Sequence, residues 1–132
     1  MPKAPVQSKA YIEECQDHHQ EFYALANAFR EAVKAGEMPP VTQSAIDALA
    51  DYTHLHFSRE EEIMEKTRYS GLTDHRDRHR ALNHRVKEFQ KAVKTGSVIE
   101  LSAVNTFIKD LTSHDREEDS PFFEHLAKHG AR

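Results

Sequence analysis

Four stretches of the chain place apolar residues at alternating steps of three and four, and glycine or proline separates one stretch from the next. This spacing is typical of a helix that buries one face. The first stretch covers roughly residues 9–35, the second roughly 42–68 and the third roughly 72–95. A capping box at Ser97 and Glu100 predicts the start of a fourth helix. Because the intervening loops are short, we predict an all-α, up-down-up-down four-helix bundle.

The start of the chain is expected to differ from the bundle. Residues 1–7 contain two prolines and no apolar period, so we expect a loose N-terminal arm there and a helix cap at Ser8. The remaining sequence is short enough for one hydrophobic core. We therefore predict a single domain over residues 1–132, in which the bundle spans 8–128.

Composition and charge restrict the classes of function. The net charge of −4 leaves no basic surface for nucleic acid. No apolar run approaches the roughly 20 residues of a membrane span, and the first residues lack the apolar stretch of a signal peptide. The single cysteine, Cys15, cannot form an internal disulfide. We therefore expect a cytoplasmic protein with no membrane or nucleic-acid partner and no evident protein partner.

Histidine is unusually frequent, with 10 in 132 residues, and several histidines interrupt the apolar rows. Residues four apart lie on one face of a helix, and His56 is so spaced from Glu60, as is His75 from His79. Taken singly, each histidine is more simply a hydrogen-bonded core residue. Taken together, they put a group of ligand-type side chains on each of four helices, which predicts a metal site in the bundle core. The candidate ligands are His19, His56, Glu60, His75, His79, His114 and Asp119.

The last two candidates can converge only if their helix widens or breaks between them. His114 and Asp119 are five residues apart, which is about 500° of α-helix, so their side chains would diverge in a continuous helix. Ser120-Pro121 supplies a cause for a kink or a new short C-terminal helix at 121–129. That helix should pack three apolar side chains: Phe122, Phe123 and Leu126. The alternative is that Asp119 only caps a helix end.

The ligand types suit iron, zinc or manganese, and no cysteine array favours zinc. Five imidazoles supply five bonds, two bridging carboxylates supply four, and one solvent-derived bridge supplies two. Two octahedral ions have twelve positions, so one position stays open. A redox-active pair of ions with one open position favours a small diatomic ligand.

On these residues the chain resembles a bacterial hemerythrin, over about residues 8–128. The segments that carry the resemblance contain all seven ligand types in order: His19-Gln20-Glu21-Phe22 with Asn27, Tyr52 to Glu61, His75 to His79 with Leu82, and His114 to Asp119. The resemblance implies a pair of iron ions joined by an oxo or hydroxo bridge. It also implies that the partner is O2 or another small diatomic or anionic ligand.

The resemblance further assigns a role to each residue. Three histidines would hold the six-coordinate iron: His75, His79 and His114. Two would hold the iron that binds oxygen: His19 and His56. Two carboxylates would bridge the ions: Glu60 and Asp119. Three side chains would line an apolar oxygen pocket, which favours reversible binding because a dry pocket withholds protons: Phe22, Phe57 and Leu111.

Two acidic residues depart from the family pattern. Asp110 stands where tryptophan is common, and Asp115 stands where an aliphatic residue is common. If both pointed inward, they would raise the polarity near the fourth helix and put a pure carrier role in doubt. We favour the interpretation that both face solvent, as most aspartates do.

The other polar residues near the candidate ligands are expected to be structural. The run from Arg59 to Glu62 is predicted to be mostly a solvated face, in which only Glu60 falls on the inward row. Cys15 lies one turn before His19 and is interpreted as a small core residue. The five remaining histidines are expected at the surface: His18, His54, His84, His125 and His129.

We therefore expect an O2-binding protein for oxygen storage, delivery or sensing rather than an enzyme. A di-iron oxidase or peroxidase is the first alternative, but the Glu-x-x-His pairs of ferritin-like enzymes are missing. Weak peroxidase activity would need a proton source such as Asp110 or Asp115. An iron- or redox-sensing module is the second alternative, and it would need a separate partner because the chain ends soon after the predicted bundle.

Overall fold

The protein is all-α in the computed structural model, which describes residues 6–117 and 119–129, with no strand among them. The described residues form five helices, in chain order α1 (Val6–Lys34), α2 (Pro39–Lys66), α3 (Leu72–Thr95), α4 (Leu101–Glu117) and α5 (Asp119–His129). The first four are the predicted bundle helices, and α5 is the predicted short C-terminal helix.

The four long helices pack as an antiparallel ring, in which α1 contacts α2 and α4, and α3 contacts α2 and α4. The order of contacts between α1 and α2 shows that they run in opposite directions. Along α1, Glu14 meets Arg59, His18 meets His56 and Phe22 meets Tyr52. The same reversal relates α2 to α3 and α3 to α4. The predicted up-down-up-down bundle is therefore confirmed.

Three predicted helix starts are wrong. Helix α2 begins at Pro39 rather than near residue 42. Helix α1 already includes Val6, so Ser8 lies inside its first turn and not at the predicted cap position. The expected loose arm therefore does not include residues 6 and 7, and residues 1–5 lie outside the described part of the chain.

The predicted capping box before α4 is also wrong. The Ser97 hydroxyl is 2.9 Å from the Thr95 hydroxyl, in the loop after α3. The first hydrogen bonds of the helix are instead accepted by the Glu100 carbonyl, from the amides of Ala103 and Val104. Helix α4 begins at Leu101, about one turn later than predicted. Gly96 ends α3 with φ of 73°, a left-handed conformation that glycine adopts without strain.

The apolar core is divided into two clusters. The large apolar cluster fills the part of the bundle near the α1–α2 and α3–α4 loops; its buried members are Phe22, Ala26, Phe29, Ile46, Leu49, Phe57, Leu82, Val86, Val93, Val104, Phe107 and Leu111. The small apolar cluster is closed by α5; its members are Cys15, Ile63, Met64, Phe122 and Leu126. Phe122 and Leu126 are fully buried, as predicted for the C-terminal helix, and Phe123 packs against them.

Cys15 is a core residue, as predicted, and is fully buried in the small apolar cluster. Burial raises the pKa of its thiol, and the nearby Glu60 and Asp119 carboxylates raise it further. The thiolate is thus disfavoured, so this cysteine is a poor nucleophile.

Among the helices described, none is both long and apolar enough to cross a membrane.

Candidate metal centre

The seven candidate ligands form one buried layer between the two apolar clusters. None of them exceeds 9% exposure, and His56, Glu60 and Asp119 are fully buried. Each lies on the inward row of its helix, where the surrounding positions are apolar. The burial of so many ionisable groups requires compensating partners, because an unpaired buried charge is costly.

The layer divides into two groups of potential donor atoms, and within each group all donors lie within 4.8 Å of one another. The first group comprises Glu60, His75, His79, His114 and Asp119. The second comprises His19, His56, Glu60 and Asp119. The two groups therefore share Glu60 and Asp119.

The shared carboxylates present one oxygen to each group. Oε1 of Glu60 lies 3.0 Å from His75 Nε2 and 3.1 Å from His79 Nε2. The other oxygen, Oε2, lies 3.5 Å from His56 Nε2 and 3.8 Å from His19 Nε2. Glu60 is thus positioned to bridge two ions.

Asp119, the first residue of α5, also presents one oxygen to each donor group. Its Oδ1 lies 2.8 Å from His75 Nε2 and 3.4 Å from His114 Nε2, whereas its Oδ2 lies 2.9 Å from His19 Nε2. Asp119 therefore lies beside His114, as the predicted ligand set required. The alternative, that Asp119 only caps a helix, does not account for its complete burial among imidazoles.

Several of these buried atoms have no hydrogen-bond partner, although charged atoms lie close to them. They are Nε2 of His19, Nε2 of His56, Oε2 of Glu60 and both carboxylate oxygens of Asp119. Buried polar atoms are normally satisfied. Here the unsatisfied atoms converge from three helices, and they combine imidazole with carboxylate. This donor set fits a pair of bound metal ions.

The pKa values in the layer show how strongly the carboxylates favour protonation of the histidines beside them. Burial favours the neutral ring, but contacts with Asp119 and Glu60 outweigh it and raise the pKa of His19 to about 10 and that of His75 to about 9. His56 and His114 lack such close pairing, and burial lowers the pKa of each to about 4. Burial opposes ionisation of Glu60, but the surrounding histidines hold its pKa well below the usual value. Two ionised carboxylates therefore attract cations, either protons on histidine or metal.

Glu61 lies where α2 contacts α3 and accepts hydrogen bonds there from a candidate ligand and an arginine. The prediction that it belongs to a solvated face is therefore wrong. Its Oε2 accepts a hydrogen bond of 2.7 Å from His79 Nδ1, and its Oε1 accepts one of 3.1 Å from Arg76 Nε. A carboxylate on the far nitrogen of a ligand histidine orients the ring and fixes its tautomer. Helix periodicity did not reveal this contact, because it depends on where α3 lies.

His18 was predicted at the surface, but it is half-buried against the layer. Its Nδ1 lies 3.2 Å from Nδ1 of His56, so one ring donates to the other. His54 and His84 are exposed, as predicted. His125 is half-buried and its ring N–H donates to the Thr67 carbonyl at 2.9 Å, so the surface prediction fails there as well. The side chain of His129 lies outside the described part.

The two acidic departures behave differently. Asp110 faces solvent, as predicted, and pairs with Arg85 at 2.7 Å. Asp115, however, is 9% exposed and points into the bundle, so the prediction for it is wrong. Its Oδ2 accepts a short hydrogen bond from the Tyr23 hydroxyl, and its Oδ1 lies 3.5 Å from His19 Nε2. It lies about 100° around α4 from His114, on the side where α1 packs.

The three predicted pocket residues, Phe22, Phe57 and Leu111, are fully buried where the large apolar cluster meets the layer. The ring of Phe22 lies 5.7 Å from His56 and 5.6 Å from Phe57. The ring of Phe57 stacks on His79 at 3.8 Å. These side chains form an apolar wall beside the candidate ligands, and their role in binding oxygen stays a prediction.

The chain matches the family described as "Hemerythrin HHE cation binding domain" over residues 10–126, and it belongs to that family. A "Bacteriohemerythrin" of Stenotrophomonas maltophilia is 30% identical over 84 residues, which are 64% of this chain and 55% of that protein. A "Bacteriohemerythrin" of Methylococcus capsulatus is 26% identical over 99 residues, covering 74% of this chain and 75% of that protein. This chain therefore spans about half the length of the first relative and three quarters of the second. No solved structure gives a significant match.

Proposed function

We propose that this chain binds two iron ions in the buried layer and binds O2 reversibly at the one coordination position that the protein leaves open, for oxygen storage, delivery or sensing. The observation that carries this proposal is that Glu60 and Asp119 each present one oxygen to either donor group. Two shared carboxylates are what a pair of adjacent ions needs and a single ion does not.

The residues divide the coordination unequally. His75, His79 and His114 belong to one group, whereas the other has only His19 and His56. With a solvent-derived oxo or hydroxo bridge, the second group is the one left with an open position. Two ferrous ions held by these residues would supply reversible electron donation to O2.

The apolar wall supports reversibility. Phe22 and Phe57 exclude water from the side of the layer that faces the large apolar cluster. A water-free surface withholds the protons that would convert bound oxygen into released peroxide. Glu61 and His18 hold the rings of His79 and His56 in place from outside the layer.

Family membership and the proteins named "Bacteriohemerythrin" support the proposal. The cytoplasm is the compartment we propose, because a single buried cysteine offers no disulfide framework of the kind common in secreted proteins.

The deciding experiment is anaerobic reconstitution of the metal-free protein with Fe²⁺, followed by metal analysis and an optical spectrum before and after adding O2. We expect two irons per chain and a visible absorption that appears with O2 and disappears under argon. One zinc per chain in the protein as purified, or an absorption change that argon never reverses, would overturn the proposal.

Peroxide turnover is the second candidate, and the burial of Asp115 is the observation that favours it. The Tyr23 hydroxyl donates to Asp115 Oδ2, next to His19, so these residues would hold a proton of the kind that peroxide turnover requires. The test compares peroxide turnover by D115L and D110L, since Asp110 faces solvent. A loss confined to D115L is expected, and equal rates would exclude this role.

A further inference from the structure

We propose that Asp115 is a third carboxylate donor for the ion position defined by His19 and His56, where it competes with small exogenous ligands for the open coordination position. This inference rests on the proposed metal site and goes beyond it. It assigns a residue that is absent from both donor groups and specifies how access to the site is limited.

The two oxygens of Asp115 have different surroundings. Oδ2 accepts the hydrogen bond from the Tyr23 hydroxyl, which anchors the carboxylate to α1. Oδ1 is buried, has no hydrogen-bond partner and lies 3.5 Å from His19 Nε2. The side chain is only 7% exposed, so solvent does not satisfy this oxygen. An oxygen and a nitrogen that both lack a hydrogen bond and lie this close together have the arrangement that two donors of one bound cation would have.

The distance from Asp115 to His19 is compatible with one shared ion, while Asp115 is not within 4.8 Å of all four donors of that group. Metal–donor bonds of about 2.0–2.2 Å allow two donors of one ion to lie up to about 4.4 Å apart. The separation of 3.5 Å between Asp115 Oδ1 and His19 Nε2 falls within this limit. Asp119 Oδ2, which belongs to the same donor group, lies 2.9 Å from the same nitrogen.

The two donor groups differ in their number of histidines, so an added donor has most effect on the group with fewer. The group around His19 has one imidazole fewer than the group around His75. Asp115 stands on the side of the less complete group, and its helix neighbour His114 belongs to the more complete one. A carboxylate there can occupy the vacancy, so an incoming ligand must displace Oδ1 while Tyr23 retains Oδ2.

The carboxylate also discriminates between ligands. Its negative charge disfavours an incoming anion through repulsion, which a neutral diatomic molecule does not experience. Replacement by asparagine removes the charge and keeps an oxygen donor, whereas replacement by leucine removes both. The two variants therefore separate charge repulsion from competition for the position.

The experiment is a titration of the diferric protein with azide, followed by visible absorption, with iron content measured for each variant. We expect D115L to keep two irons per chain and to bind azide at least about tenfold more tightly than the unmodified protein, a gain of about 1.4 kcal/mol. D115N should lie between them and also guards against loss of folding in D115L. D110L, which changes an exposed carboxylate on the same helix, should leave azide affinity unchanged.

Equal azide affinity in the unmodified protein, D115N and D115L would overturn the inference. A second measurement keeps it separate from the proposed function, because it needs neither iron nor O2. Co²⁺ is bound to the metal-free protein, and its visible absorption reports the number of donors. A spectrum that changes in D115L but not in D110L supports Asp115 as a donor even if iron reconstitution fails. A spectrum unchanged in both contradicts it.

Discussion

The large apolar cluster and the ligand layer lie side by side in one bundle and share its four long helices, to which the layer adds Asp119 of α5, yet their buried surfaces are opposite in kind. In the large apolar cluster, rings and aliphatic chains pack against each other, as Phe29 does against Phe89 at 5.5 Å. Burial of such surface stabilises the fold without any partner, by about 25 cal/mol per Å². In the layer, five imidazoles and two carboxylates are equally buried.

That difference indicates two sources of stability. Buried ionisable groups are costly unless each is paired or bound. In the layer, histidine protons partly neutralise Glu60 and Asp119, but several donor atoms still lack partners. The apolar cluster therefore holds the bundle by itself, whereas the layer depends on the cations that it binds. Such a site couples metal affinity to folding.

The largest expected effect is that of His75→Ala in the layer. His75 contacts both shared carboxylates, at 3.0 Å and 2.8 Å, so its loss leaves two buried charges with a missing partner. Removing one partner of a buried pair costs about 3–5 kcal/mol. Lost metal binding costs about 4 kcal/mol more at a thousandfold excess of metal over its Kd. Iron content and denaturant unfolding measure this, and retained iron with unchanged stability would contradict it.

The next effect tests the apolar side of the comparison. Phe29→Ala should lower the free energy of unfolding by about 3–5 kcal/mol, because it opens a cavity in a fully packed core. Phe29 is ten residues beyond His19, about 15 Å along α1, so the loss should be the same with and without metal. Urea unfolding of both forms checks this. A loss that appears only in the metal-loaded form would show that the two regions are not independent.

A smaller effect is expected from Glu61→Gln, which weakens the support of His79. Loss of such a carboxylate typically lowers metal affinity about 10- to 100-fold. The control is Glu65→Gln, one turn later on α2, where an exposed carboxylate lies 3.8 Å from the same Arg76. Metal affinity measured with a competing chelator should fall only in Glu61→Gln. Equal affinities in the two variants would mean that the contact with His79 is not functional.

The last effect is the pH dependence of the metal-free protein. The pKa of His19 is raised to about 10 and that of His75 to about 9, above the unfolded value near 6.5. The stabilisation from these protonated rings is complete below about pH 6.5 and is lost as the pH rises through the folded values.

Urea unfolding of the metal-free protein between about pH 7 and 9 should therefore show decreasing stability, by at most about 1.4 kcal/mol per pH unit for each proton released. The cost of Phe29→Ala should stay constant over this range, since the large apolar cluster contains no titrating side chain. Stability that rises with pH would contradict the assigned protonation.

The sequence predicted the parts of the site that depend on local periodicity. His56 and Glu60 share a face because a helix returns to the same direction after four residues, and the same holds for His75 and His79. The need for a break between His114 and Asp119 followed from the same geometry. Three contacts were missed: those of Asp115, Glu61 and His18. Each depends on the rotation of a neighbouring helix, which no period within one segment reports.

The sequence by itself determined that this chain forms four amphipathic helices and that each carries ligand-type side chains inward, because the spacing of apolar residues sets which face of a helix is buried. Only the tertiary structure decided that Glu60 and Asp119 divide their oxygens between two donor groups. It also decided that Asp115 turns into the core although a solvent-facing position was expected. These outcomes depend on how rigid helices rotate and approach one another, and that is set by the packing of the whole bundle.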